Sequence, residues 1–357
     1  MEKEKKSKIK KILVNLTIFI LLIILTFSLV LKDQDVSQIF SVAAKVKKQY
    51  ILFAVLAMSI YILGEAVNIT RILKELGEKS KLISNIRYTL IGFFFSAITP
   101  AASGGQPMEI YYMHKDDISV ANSTLALLMQ LCSLQIVTIT VGTISAVIHF
   151  EVLKSGLIYL LILGIILNSS ALTLLIIAIF SKKLSEGLIK FAVKLLKFFR
   201  IPNVEKKQEK LEKELESYQT SAKYIKEHKI LMLKTVITTV IQMIAYYSVP
   251  YWIYLAFGLT EYNIFEILTL QAVLYATVSG IPSPGAVGVS EGGFLGIFRN
   301  VFPETIISSA MLLTRGANFY LFIIISAIIV MISTFREKKI EKKQMQETEV
   351  LTEKSEK

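Results

Sequence analysis

Phe93-Phe94-Phe95-Ser96-Ala97-Ile98-Thr99-Pro100-Ala101-Ala102-Ser103-Gly104-Gly105-Gln106-Pro107-Met108-Glu109-Ile110 lies in the middle of an apolar segment. Two prolines and a Gly-Gly pair interrupt any helix there, because proline lacks the backbone donor and clashes with the preceding turn. Broken backbone at membrane depth survives only inside protein or facing a water-filled cavity. A second stretch, Ser279-Gly280-Ile281-Pro282-Ser283-Pro284-Gly285-Ala286-Val287-Gly288-Val289-Ser290-Glu291-Gly292-Gly293-Phe294, repeats the character of the first. In both, a proline is followed nine residues later by a glutamate: Pro100 to Glu109 and Pro282 to Glu291. Pro100, Pro107, Pro282 and Pro284 are the hairpin-forming residues.

The surroundings of these stretches define the class. Of 357 residues 53% are hydrophobic, mean hydropathy is +0.57, and several apolar runs approach twenty residues, the length needed to cross a bilayer. An all-α polytopic membrane protein is expected. The formal charge of +12 falls at segment ends and in one central loop rather than among aromatics, so it orients the chain against anionic headgroups; no stable nucleic-acid binding is expected. Cys132 is the only cysteine and the three histidines are scattered, so neither a disulfide framework nor a metal site is expected, and no cofactor. The run from Ile12 to Leu31 follows a lysine-rich start without a small-residue cleavage site and reads as an uncleaved first span.

Six full spans are expected: Ile12 to Leu31, Tyr50 to Thr70, Ala121 to Ile148, Gly156 to Phe180, Leu231 to Phe257 and Thr305 to Phe335. The segments Arg87 to Met113 and Ile264 to Phe298 carry the broken stretches. The loop from Ser181 to Lys234 holds fourteen lysines and arginines against seven glutamates, which places it in the cytoplasm together with the two termini. That placement requires Arg87 to Met113 to enter and leave by one face, and Ile264 to Phe298 to do so from the other. Two opposed re-entrant helical hairpins, eight apolar segments in all, are the mark of an inverted repeat, the construction by which many secondary transporters place a site near the midplane. An eight-span arrangement is the alternative. The domains are then a transmembrane domain over 1–335, with a cytoplasmic insertion at 181–234, and a charged tail over 336–357. Within the insertion, Leu184, Leu188, Phe191, Leu195 and Phe199 share a face of an interfacial helix. The heptad spacing Leu211, Leu215, Tyr218, Ala222, Ile225 predicts a second helix that packs on its own protein.

A charge in hydrocarbon costs at least about 2.5 kcal/mol, so each intramembrane ionisable group needs a partner or a task. Arg71, Arg87 and Arg299 sit at segment ends and reach the interface. Glu109 and Glu291 each follow a helix break, where a carboxylate either caps the restarting helix or faces a polar cavity and binds a cation or a proton. Arg315 in the last span is the natural counter-charge to these glutamates or to a lipid phosphate. Gly104, Gly105, Gly285 and Gly288 would let backbone donors approach an anionic headgroup. Glu65 is a further candidate. Gln130, Asn168 and Gln242 read as interhelical hydrogen-bonding residues, and Tyr246, Tyr247, Tyr251, Trp252 and Tyr254 as an aromatic belt.

Thr99-Pro100, Gly104-Gly105-Gln106-Pro107-Met108-Glu109, then Pro284-Gly285-Ala286-Val287-Gly288-Val289-Ser290-Glu291, then Arg315 in the last span, resemble in that order the lysylphosphatidylglycerol synthase transmembrane family, the flippase-like membrane half of the multiple peptide resistance factor. The resemblance implies an integral membrane flippase of the cytoplasmic membrane that moves a polar-headgroup, aminoacylated phospholipid between leaflets, and with it resistance to cationic antimicrobial peptides. In full-length members a cytoplasmic domain transfers lysine from lysyl-tRNA to phosphatidylglycerol. After Phe335 only 22 residues remain, highly charged and without an apolar core, so phosphatidylglycerol lysyltransferase activity by this chain alone, the family-name activity, is not expected. Membrane subunit of a separate synthase is the other alternative. The implied partners are a membrane phospholipid, a separate cytoplasmic lipid synthase and a second copy in a homo-oligomer.

Overall fold

The computed structural model describes residue 17 and residues 36–99, 102–148, 157–182, 204–281 and 283–336, with isolated positions at 186, 187, 190 and 194. The expected span Ile12 to Leu31, the interfacial helix through Leu184 to Phe199, the tail, Pro100 and Pro282 lie outside the described residues. Among the described residues eleven helices follow one another along the chain. They are α1 (Val36–Ala44), α2 (Lys48–Glu75), α3 (Leu82–Ala97), α4 (Gly105–Lys115), α5 (Val120–Ile148), α6 (Leu157–Phe180), α7 (Val204–Glu227), α8 (Lys229–Ala256), α9 (Ile264–Val278), α10 (Val289–Ile297) and α11, which runs Glu304–Arg336 through a π-turn at Gly316–Tyr320. No strand occurs among the described residues. The chain is an all-α polytopic membrane protein: α2, α5, α6, α8 and α11 are long and apolar enough to cross a bilayer. Leu160, Ile166 and Leu174 on α6 and Ile324, Ile328 and Ile332 on α11 are exposed, which suits lipid and not water.

Helices α3 and α4, of 16 and 11 residues, would span about 24 and 16 Å at 1.5 Å per residue, too short to cross alone. They fold back on each other instead, and both ends of this hairpin meet at one face. Arg87 at the start of α3 pairs with Asp116 after α4, Tyr88 donates to the same carboxylate, and Glu78 before α3 accepts from Ser119 N (3.2 Å) and Asn122 Nδ2 (2.8 Å) after α4. Helices α9 and α10 form the second hairpin, started by the Asn263–Glu266 capping box and closed where Tyr262 Oη donates to the Asn300 carbonyl at 3.0 Å.

The 28-residue α2 separates the two mouths. Its N-terminal end meets the second, since Lys47 N donates to Ala256 O (3.0 Å) and Tyr254 Oη accepts from Glu261 N and Tyr262 N. Its C-terminal end meets the first, where Tyr224 of α7 donates to Glu75 (3.2 Å) and Ser221 to Asn122 (2.8 Å). The hairpins therefore open to opposite faces, and α7 packs at the face of the first. The heptad face of α7 does pack on its own protein: Ala222 and Ile225 are buried in the first hairpin's core with Tyr218 against it.

Each hairpin has an apolar cluster of its own. Ile91, Phe94, Phe95, Met113 and Leu125 centre the first, and Leu270, Leu274, Phe294, Phe298 and Phe302 the second. Between them run the polar contacts expected of Gln130, Gln242 and Asn168. Asn68 donates to Gln130 (2.8 Å), Gln130 to Gln242 (3.3 Å), and Asn168 to Ala276 O (3.2 Å). The aromatic belt is smaller than the sequence suggests. Trp252 packs on Phe53 at 5.2 Å, but Tyr247 is fully buried and Tyr246 turns inward against Tyr61 and Tyr275, because they lie on the face of α8 that packs on α2 and α9, while Ile237, Ile241 and Ile244 are exposed on its other face.

Candidate functional site

The tips of the two hairpins approach each other inside the protein and leave a cavity of about 300 Å³. The first hairpin supplies Phe93, Ser96 and Ala102, the second supplies Ser279, Gly280, Ile281, Ser283, Gly285, Ala286 and Ser290, and the long helices add Tyr61, Tyr246, Arg315, Asn318 and Phe319. Two polar atoms of this wall, Ser283 Oγ and Asn318 Oδ1, are buried without a hydrogen-bond partner. Asn318 is only 4% exposed, and a buried acceptor left unsatisfied costs about 1–3 kcal/mol. Asn318 and Phe319 reach the wall because the π-turn places one extra residue in α11 immediately after Arg315; such turns recur at functional sites.

The second break is built for close contact. Gly285, Ala286 and Gly288 all have positive φ, at 59°, 52° and 87°, and helix α10 restarts at Val289. Glu291 is therefore its third residue, where a carboxylate reaches back to a free amide: Gly288 N donates to Oε2 at 2.7 Å. The other oxygen accepts from Arg315 Nε at 2.7 Å and from Tyr320 Oη at 3.2 Å. Arg315 Nη2 donates to the Gly285 carbonyl at 3.1 Å, and the guanidinium stacks 4.0 Å over the Phe319 ring. Glu291 is fully buried and Arg315 nearly so. Arg315 Nη1, by contrast, makes no bond among the described residues, and Arg315 lies on the cavity wall.

The first break is wound differently. Thr99 Oγ1 donates to Phe95 O (2.6 Å) and accepts from Gly104 N (2.9 Å), and α4 restarts at Gly105. Pro107 sits in its first turn, where a missing N–H is harmless, and Glu109 becomes the fifth residue, beyond the free amides. It points across to α3: a Cβ on Gly92 would collide with its Oε1. Glu109 is 3% exposed, its Oε2 has no partner, and no cation among the described residues pairs with it. Glu65 on α2 lies within electrostatic reach of it.

The structure thus brings Glu291, Arg315 and Gly285 together at the cavity and places Glu109 and Glu65 in a second pair behind its first-hairpin side. Gly104 and Gly105 face the opposite arm of their own hairpin, where a Cβ would meet Thr99 Cγ2 (2.7 Å) or Ser96 Oγ. They close the hairpin rather than line the cavity. Sequence reading missed Tyr61, Tyr275 and Gly92; it read Asn318 as one more interhelical hydrogen-bonding residue, and the structure places it on the cavity wall. The only usable signal was Tyr61, one helical turn before Glu65.

The fold is that of an all-α polytopic membrane protein whose two helical hairpins bring their tips to one cavity lined by both apolar and polar side chains. The family model described as the lysylphosphatidylglycerol synthase TM region matches residues 12–326, and the chain belongs to that family. No curated protein sequence matches it.

Proposed function

We propose that the chain is a flippase or transporter of the cytoplasmic membrane, with both termini in the cytoplasm, that carries a phospholipid with a polar, aminoacylated headgroup between leaflets. The carrying observation is the cavity between the hairpin tips, walled by both breaks and carrying Arg315 and the unsatisfied polar atoms of Ser283 and Asn318, since polar and charged groups at membrane depth mark substrate pathways. In this reading the phosphate docks at the free Nη1 of Arg315, which Glu291 and Gly285 hold in place, while Tyr61, Tyr246 and Asn318 contact the rest of the headgroup. The acyl chains remain in lipid. Lipid-synthesising activity belongs to a partner.

The test is a leaflet-resolved lipid profile of cells with and without the protein, using an amine-reactive probe that cannot cross the membrane. An amine-bearing lipid made in normal total amount but lost from the outer leaflet is the expected result. A fall in its total amount would assign the chain to synthesis instead.

A further inference from the structure

The two breaks share a spacing but not a chemistry. Glu291 is neutralised by Arg315 and satisfied by three donors, whereas Glu109 has an unpartnered oxygen and a carboxylate, Glu65, as its neighbour. The surrounding elements offer no cation. The groups with electrostatic reach to Glu65 are Tyr61 on its own helix and Tyr275 on α9. Tyr246 and Tyr247 of α8 are neutral phenols, and Arg315 on α11 is held by Glu291. Helix α5 carries no ionisable side chain except Cys132. On α3 and α4 the remaining charges Arg87, His114 and Lys115 lie toward the mouth, with Arg87 held by Asp116. Two carboxylates at this depth cannot both be charged without a cation between them.

A metal ion would want more oxygen ligands than two carboxylates give, and no group of three or more metal-binding side chains exists among the described residues. The smallest cation, a proton, needs none. We infer that Glu65 and Glu109 form one proton-binding site behind the cavity, shared between α2 and the first hairpin, and that loading it is coupled to movement of the cargo. The site is linked to the cavity by one helical turn on each side: Tyr61 precedes Glu65 by four residues and Gly92, which Glu109 touches, precedes Ser96 by four, and Tyr61 and Ser96 both line the cavity. Protonation removes the repulsion between α2 and α4, so the separation of these elements follows the proton. The site stands on the burial of Glu109, its unpartnered oxygen and its contact with Gly92, with Glu65 joined to it by electrostatic reach; its coupling to cargo rests on the transport reading.

The test uses the full chain reconstituted in vesicles of phosphatidylglycerol and phosphatidylethanolamine. An infrared difference spectrum between acidic and alkaline buffer should contain the band of a buried protonated carboxyl, absent in Glu109→Gln. Glu65→Gln should shift it in pH. Glu291, which is paired with Arg315, is separated from this band by Glu291→Gln, which should leave the band in place. A band unchanged in both variants overturns the site, and if Glu109→Gln does not yield folded protein, Glu65→Gln and Glu109→Asp, which keeps a carboxyl in a different place, should each shift the band, and a band unmoved in both overturns the site. In the second arm, a gradient of about one pH unit should shift the leaflet distribution of a fluorescent amine-headgroup phospholipid about tenfold, the value for one coupled proton, and Glu109→Gln should abolish the shift. Lipid movement indifferent to the gradient overturns the coupling and leaves transport standing. A titrating band without any lipid movement overturns transport and leaves the site standing. Dependence on sodium at constant pH would replace the proton with a metal cation and overturn the assignment.

Discussion

Arg315→Met removes the guanidinium from a buried pair and leaves the rest of the second break intact. Three contacts go at once: the 2.7 Å bond to Glu291, the 3.1 Å bond to Gly285 O and the stack on Phe319. Glu291 stays behind, fully buried, with only its bonds from Gly288 N and Tyr320. Breaking a buried pair from one side typically costs about 3–5 kcal/mol, most of it the penalty on the stranded charge. The double variant Arg315→Met/Glu291→Gln strands no charge, and the amide oxygen can still accept from Gly288 N. Its cost should fall short of the sum of the two single costs by about 2 kcal/mol, within the range of coupled neighbours. Reversible unfolding of the four proteins in bicelles, followed by steric trapping, measures all the terms. The reasoning is refuted if Arg315→Met costs less than about 1 kcal/mol, or if the double variant equals the sum.

Gly288→Ala forces a side chain into φ 87° and should destabilise the second hairpin by about 1–3 kcal/mol, visible as faster proteolysis at 283–288. Gly92→Ala places a methyl where Glu109 Oε1 now lies; overpacking should cost about 1–3 kcal/mol and lower lipid translocation in vesicles more than it lowers expression. Asn263→Ala removes the cap that accepts from Phe265 N and Glu266 N and should cost about 1 kcal/mol in the same unfolding assay. On the extramembrane helix α7, burial, with the nearby Cys132 adding to it, pushes the Tyr218 hydroxyl up to about 12. Because the folded value lies above the ordinary 10, its bond to Ala178 O is present in full below pH 10 and is lost as pH rises through 12. Tyr218→Phe should therefore cost about 1 kcal/mol at neutral pH, with no pH dependence of its own up to about 10.

The span boundaries and the opposed hairpins were legible because hydropathy and the position of lysines respond to the bilayer directly. The expected span Tyr50 to Thr70 is helix Lys48–Glu75, and Leu231 to Phe257 is Lys229–Ala256. Local charge counting also set the hairpin mouths on opposite faces, as Glu78 with Asn122 and Tyr262 with Asn300 now show. What stayed hidden depends on which neighbour a helix face meets. Tyr246 and Tyr247 sit near a span end and so resemble interfacial aromatics, but the partner of that face is α2 and not lipid. Gly92 looked like any glycine in an apolar run, since its meaning comes from Glu109, 17 residues away. The arginine in the last span was legible as a counter-charge, while the glutamate that takes it could be told only from the backbone.

That choice between two glutamates follows from where each helix restarts. Both lie nine residues after a proline, but the second chain segment uses a 3₁₀ turn and three positive-φ residues before helix resumes at Val289, while the first resumes at Gly105. The same spacing therefore delivers Glu291 to the third helical position and Glu109 to the fifth. At the third, a carboxylate meets a free amide and lies next to Arg315; at the fifth, the amides are already spent on the helix and the side chain must look across the hairpin. A two-residue difference in winding makes one half of the repeat an anchored, neutral ion pair and the other an unneutralised acid. In the proposed transport reading, this offset supplies the chemical difference between the two breaks on which the proton-binding site at Glu109 depends.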